Sequence, residues 1–185
     1  MSGIDLGGRL ITVGERLAAA GLVRESEGNL SIRLGESRCL MTATGTNLGN
    51  LSAADLVETS FEDSEVPPRA TSEAQLHLEL YRRRPDIGAV VHAHPPRLLR
   101  LDAEGKLPVW RRLEDRGKKL GGVVAVPYHA EGTLVLAQAT ADALRTARAC
   151  VLREHGAVTV GPTLMAAVVR MLDLERAASL TGTGS

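Results

Sequence analysis

Leu6, Leu10, Val13 and Leu17 recur at steps of four, three and four, which puts them on one stripe of a helix that stops near Gly21. The period then changes. NLSIRL (29–34) and RCLMTA (38–43) are short strand-like pieces parted by the turn formers Gly35 and Glu36, and they predict a hairpin. In SAADLVETSF (52–61) Ser52 caps a short helical turn, and EDSEVPPRA (62–70) is a polar loop. A second helix is predicted from Ser72 to about Arg84, with Ser72 and Gln75 as a capping box and Pro85 as the stop. The strand IGAVVHAH (87–94) follows at once. The charged, irregular stretch 101–122 is expected to be a mobile connection before the strand VVAVPY (123–128). A helix over ATADALRTAR (139–148), strands in ACVLRE (149–154) and AVTVG (157–161), and a final helix over 163–180 complete the chain. Strands and helices intermix without strict βαβ repetition, which implies a mixed sheet covered by helices.

Length and composition narrow this picture. The 185 residues suit one domain, 1–185, which buries about 70% of its unfolded surface on folding. Twenty-two basic and 22 acidic residues cancel, so no bulk field favours nucleic acid or a membrane surface. Trp110, Phe61, Tyr81 and Tyr128 are the aromatic residues, too few for a base-stacking surface, and nucleic acid is not an expected partner. MSGIDLGGRL lacks a basic region followed by an apolar core, and no run of 18 apolar residues occurs, so a cytoplasmic protein without signal peptide or membrane span is expected. Cys39 and Cys150, each in apolar surroundings, are expected to be buried and reduced.

The candidate chemistry lies in the histidines. His92 and His94 close the run AVVHAHPP, and His155 follows a second run in LREHGAV. In a strand, residues i and i+2 project to one face, about 7 Å apart along the chain, which suits two ligands of one ion. Catalytic zinc commonly takes three protein ligands and keeps a position open. A His-X-His pair is by itself a common accident; here two of only five histidines end a strand and a third precedes a glycine. Glu73 is a candidate base beside the metal, or an acidic first-turn residue that merely suits the helix dipole. Thr71 and Ser72 are candidate helix caps, and a helix start also binds phosphate. Gly28 and Asn29 taken alone read as a turn. His77, four residues after Glu73 on the same helical face, is assigned packing or hydrogen bonding, and His129 an exposed loop position.

GNLSIR (28–33), TATG (42–45), TSE (71–73), RPDIGAVVHAHP (84–95), VPYHAEGT (126–133) and LREHGAVTVG (152–161) together resemble, in order, the landmarks of the class II aldolase and adducin-head family, most of all its fuculose-1-phosphate aldolase branch. The resemblance spans nearly the whole chain. It implies a three-layer α/β/α fold, a homotetramer with active sites at subunit interfaces, and zinc, one ion per subunit, on His92, His94 and His155. It further implies Glu73 as the acid/base carboxylate and a phosphate held at Asn29, Thr44, Gly45, Thr71 and Ser72. The implied reaction is reversible cleavage of a ketose 1-phosphate, such as fuculose 1-phosphate, to dihydroxyacetone phosphate and an aldehyde through an enediolate. The donor tyrosines of those aldolases have no counterpart in WRRLEDRGKKL (110–120) or after the last helix, and Tyr128 reads as structural. Other metal-dependent reactions on a sugar phosphate (dehydration, decarboxylation or 4-epimerisation) therefore stay open, as does a non-catalytic adducin-like binding module.

Overall fold

A computed structural model describes residues 5–63, 65–110 and 120–181. Its centre is a seven-stranded sheet in the order β3-β2-β1-β4-β7-β6-β5. The strands are β1 (Asn29–Arg33), β2 (Arg38–Thr42), β3 (Leu56–Ser60), β4 (Ala89–Ala93), β5 (Val123–Val126), β6 (Ala149–Leu152) and β7 (Gly156–Gly161). All neighbours pair antiparallel except β5 with β6, so the sheet is mixed as expected. The predicted hairpin forms, with Ser31 opposite Met41 and Arg33 opposite Cys39.

Alternation along the strands sends apolar side chains to two cores. Leu30, Ile32, Ala89, Val91 and Ala93 face one layer, built from α1 (Leu6–Ala19), α3 (Pro96–Ala103) and α5 (Leu164–Thr181). Met41, Val90, Cys150, Val158 and Val160 face the other, built from α2 (Ala74–Arg83) and α4 (Leu134–Ala143). The result is the three-layer α/β/α arrangement. Both cysteines are buried and unpaired, and burial pushes their thiols up to about 12. Among the described residues no helix is long and apolar enough to cross a membrane.

Several elements differ from the sequence reading. LVETS forms β3, which pairs with β2 after a short 3-10 turn in which the Asp55 carboxylate accepts from the Ser52 backbone and hydroxyl. The unexpected helix α3 starts at Pro96, where no amide hydrogen is needed in the first turn, and runs to Ala103, into the stretch from 101 expected to be irregular. Its Leu98 and Leu101 are buried, and the buried Glu175 of α5 accepts from the backbone amides of Arg97 and Leu98, closing the helix start. The helix α4 begins at Leu134 after a Thr133 cap, five residues before the expected 139, and ends at Ala143. The Ser72–Gln75 capping box does not form; α2 starts at Ala74 with Glu73 at the cap, because Thr71 and Glu73 are turned inward and Thr71 is tied to β2 through the Thr42 carbonyl. Of the expected mobile connection 101–122, residues 111–119 lie outside the described residues, and 101–103 belong to α3. His129 is half-buried rather than exposed, and Tyr128 is 61% exposed and so does not fill the structural role expected of it.

Candidate metal centre

The register of three neighbouring strands gathers the histidines. His92 stands on β4 opposite Asn29 of β1 and Val158 of β7, and His155 immediately precedes β7. His94 lies just past β4 and is anchored by its amide to the Leu22 carbonyl. Their Nε2 atoms meet: His92 and His94 are 3.1 Å apart, and one ligand nitrogen from each of the three residues lies within 4.8 Å of the others. His92 Nδ1 faces the Ala157 carbonyl at 3.0 Å, which commits a hydrogen to Nδ1 and leaves Nε2 with its lone pair toward the cluster.

Glu73 completes the centre from the start of α2. Its Oε2 is 3.0 Å from His92 Nε2 and its Oε1 is 3.5 Å from His155 Nε2, with only 5% of the residue exposed. Asn29 Nδ2 donates to Glu73 Oε2 at 2.9 Å. Two outer carboxylates, Glu27 at 3.9 Å from His94 Nδ1 and Glu131 at 4.0 Å from His155 Nε2, flank the cluster and are largely exposed.

Electrostatics fit a cation. Burial opposes ionisation of Glu73, but His92, its hydrogen bond, that from Asn29, and His155 outweigh it and hold the carboxyl well below the usual carboxylate range. Burial opposes protonation of His92 in turn, yet facing Glu73 raises its pKa. Each of the two therefore favours the charged form of the other. His94 is pushed down to about 4, first by burial and then by His92 and His155, and His155 is lowered by burial and His92. Neutral imidazoles are the ligand form. Three converging nitrogens beside a carboxylate, with Glu73 Oε1 and His155 Nδ1 lacking hydrogen-bond partners among the described residues, suit a divalent ion.

A cavity of about 370 Å³ opens over the cluster. Asn29, Thr44, Gly45, Thr71, Ser72 and Glu73 all line it with the three histidines, so every site residue expected from the sequence is brought to one place. Among its described lining residues there is no lysine or arginine. Thr44, Gly45 and Ser72 are exposed, whereas Asn29 and Thr71 are buried in its wall.

Three contributors were missed in the sequence. Gly156 leaves room for the rings: a Cβ there would come within 2.9 Å of both His92 Cε1 and His94 Cδ2. Its only signal was the His-Gly step. Asp102 of α3, 3% exposed, accepts from the Glu154 amide at 2.7 Å and pairs with Arg153, fixing the turn that presents His155. Glu175 steadies the start of α3, just after His94. Nothing local marks these two carboxylates, because their partners are distant in sequence.

Residues 8–181 match the family described as Class II Aldolase and Adducin N-terminal domain. The chain belongs to that family. It is 33% identical to the L-fuculose phosphate aldolase of Methanocaldococcus jannaschii, over 84% of this chain and 84% of that protein. It is 29% identical to a 3-oxo-tetronate 4-phosphate decarboxylase of Haemophilus influenzae, over 92% of this chain and 84% of the relative. The crystal structure of L-fuculose-1-phosphate aldolase from Thermus thermophilus superposes with a TM-score of 0.82 at 32% identity, covering 96% of each chain. Aldolases and decarboxylases both occur among the relatives, so membership defines a class of lyase chemistry rather than one reaction.

Proposed function

We propose that the protein is a metal-dependent aldolase that cleaves a ketose 1-phosphate, such as fuculose 1-phosphate, to dihydroxyacetone phosphate and an aldehyde. The observation that carries this reading is the placement of the ionised Glu73 carboxylate 3.0 Å from the histidine cluster, in a cavity that hydroxyl and amide groups also line. His92, His94 and His155 would hold the ion, zinc by the chemistry of three imidazoles, although other first-row ions share that preference. A divalent ion there supplies positive charge to substrate oxygens as negative charge gathers on them. Glu73 would take and return the proton, being within reach of the space over the cluster. Asn29, Thr44, Gly45, Thr71 and Ser72 would hold the phosphate. With no cationic side chain among the described lining, that phosphate would lean on neutral donors, the start of α2 and the metal's charge. A homotetramer with a neighbour covering the exposed rim at Glu27, Ser72 and Glu131 belongs to the same proposal, and light scattering tests it.

The test is loss of a C3 proton signal from dihydroxyacetone phosphate in heavy water, with zinc-loaded protein and no aldehyde. Exchange that a chelator abolishes is expected. Its absence in metal-replete protein would overturn the aldolase reading. A second reading is decarboxylation of a phosphorylated 3-oxo acid, favoured by the likeness to the decarboxylase over 92% of this chain. It breaks a bond at the same position relative to a ketone, and release of carbon dioxide from such an acid is its test.

A further inference from the structure

Behind Glu73 and Asn29 a buried polar line runs away from the cavity, and its inner members, Ser31, His77 and Tyr81, have no part in the proposed reaction. Asn29 and Ser31 alternate on the face of β1 that looks toward α2, while Glu73, His77 and Tyr81 follow one another at four-residue steps along that helix. The two series interlock. Tyr81 OH is 2.8 Å from Ser31 Oγ, Ser31 Oγ is 2.6 Å from His77 Nδ1, His77 Nε2 is 2.5 Å from Asn29 Oδ1, and Asn29 Nδ2 is 2.9 Å from Glu73 Oε2. Each of these residues is at most 5% exposed.

The direction of every bond follows from one end. An ionised carboxylate only accepts, so Asn29 must turn its amide nitrogen to Glu73 and its carbonyl oxygen to His77. Nε2 of His77 then carries the hydrogen, and its bare Nδ1 accepts from the Ser31 hydroxyl. The Ser31 oxygen is left to accept from Tyr81, whose phenol burial pushes upward and so keeps protonated. Four groups donate in a single sense toward Glu73, an arrangement in which each bond polarises the next.

We infer that His77 is a positioning residue for Glu73: as the neutral Nε2–H tautomer, held by Ser31 and Tyr81, it locks the Asn29 carboxamide with its donor edge to the carboxylate. The inference rests on the reading of Glu73 as the proton-transfer group. A core role alone would be met by an apolar side chain of similar volume, without five buried polar groups to satisfy. Burial pushes His77 down to about 3, ahead of the opposing pull of Glu73, which keeps it a neutral bridge. Without it the buried Asn29 oxygen has no donor. The carboxamide is then free to turn and present that oxygen to Glu73. Only one of the two Asn29 amide hydrogens serves Glu73, so the other remains for a ligand in the cavity.

The experiment combines NMR of ¹⁵N-histidine-labelled, zinc-loaded protein with the dihydroxyacetone phosphate exchange assay on His77→Gln and His77→Leu. In the wild type the His77 ring is expected as the neutral Nε2–H tautomer, identified by the loss of its signals in His77→Gln. An Nδ1–H ring would overturn the inference. His77→Leu is expected to lower the saturated exchange rate per metal-loaded chain by about 10- to 100-fold, the scale of a misplaced reacting group, with little change in half-saturation. His77→Gln, whose amide nitrogen stands near the place of Nε2, should recover most of that loss. Unchanged exchange per metal-loaded chain in His77→Leu, or equal loss in both variants, would assign His77 to packing and overturn the inference. Absence of exchange in the wild type would reject the aldolase reading by itself, and the tautomer would still decide the direction of the chain.

Discussion

Gly156 sits where a Cβ would approach the Ala93 carbonyl to 2.7 Å and two imidazole rings to 2.9 Å. Backbone on one side and ligand rings on the other leave no soft neighbour to give way. Gly156→Ala should therefore destabilise the fold by about 1–3 kcal/mol, as overpacking does. It should also weaken metal binding by about tenfold or more, since small displacements of ligands and their supports have that effect. Competition with a chromogenic chelator measures the second quantity, and unchanged affinity would mean that the rings have another way to converge. Glu73 makes the complementary prediction. Glu73→Gln is nearly isosteric and leaves three histidines in place, so about one metal ion per chain should remain while turnover falls by ~10² or more, the usual cost of removing a general base. Full turnover in that variant would move the proton to another group. At this scale the grouping was legible in part. Residue types and the His-X-His spacing suggested His92, His94, His155 and Glu73 as a metal site with a base, and the family resemblance, rather than local pattern, favoured that over a chance pair and a helix-dipole residue; the structure brings the four together. The second duty of Asn29 was not legible, because its partners Glu73 and His77 are 44 and 48 residues away and only the β1–α2 packing brings them together.

Elements were read best where one periodicity ran for several turns or strands. The stripe Leu10, Val13 and Leu17 is buried in α1 as expected. The strand β3 escaped because its five residues follow Ser52, a strong turn signal, and its burial is partial, with Glu58 exposed at the sheet edge. The helix α3 escaped because Pro95 and Pro96 read as a break, whereas a proline in the first turn costs no hydrogen bond. The second gap had a consequence for the site. Asp102 sits on α3 and holds the Glu154 amide of the β6–β7 turn, where Glu154 has a positive φ of 60°. That turn delivers His155. Asp102→Ala should remove a part-buried hydrogen bond to a carboxylate and the Arg153 pairing, and cost about 1–3 kcal/mol in urea unfolding of metal-free protein. It should also lower metal affinity, with the loss traced to His155. Affinity equal to the wild type would show that pairing of β7 with β4 alone fixes that ligand.

Across the whole molecule, a mixed sheet covered by helices was legible from the alternation of elements and the α/β/α layering from the family resemblance, but the strand order was not. The centre depends on that order: β1, β4 and β7 are neighbours, so Asn29, His92 and His155 meet at one end of the sheet beneath α2. The same layering seals His77 between sheet and helix, which gives the molecule a defined response to acid. In the unfolded chain His77 titrates near its ordinary 6.5, whereas in the fold burial, and secondarily His92, hold it at about 3 against the pull of Glu73. Between those two values the unfolded state binds one more proton than the folded state. Stability therefore falls as pH drops through this window, with a slope from this one group approaching 1.4 kcal/mol per pH unit, about the energy of one pKa unit. In His77→Gln that slope is absent while the other titrating groups are kept. Urea unfolding of the metal-free wild type and His77→Gln, compared from pH 6 to pH 4, should show any advantage of the wild type shrinking by about that amount per unit. Parallel curves would mean that His77 is protonated inside the fold. It could not then accept from Ser31, and the line of donors toward Glu73 would be broken at its centre.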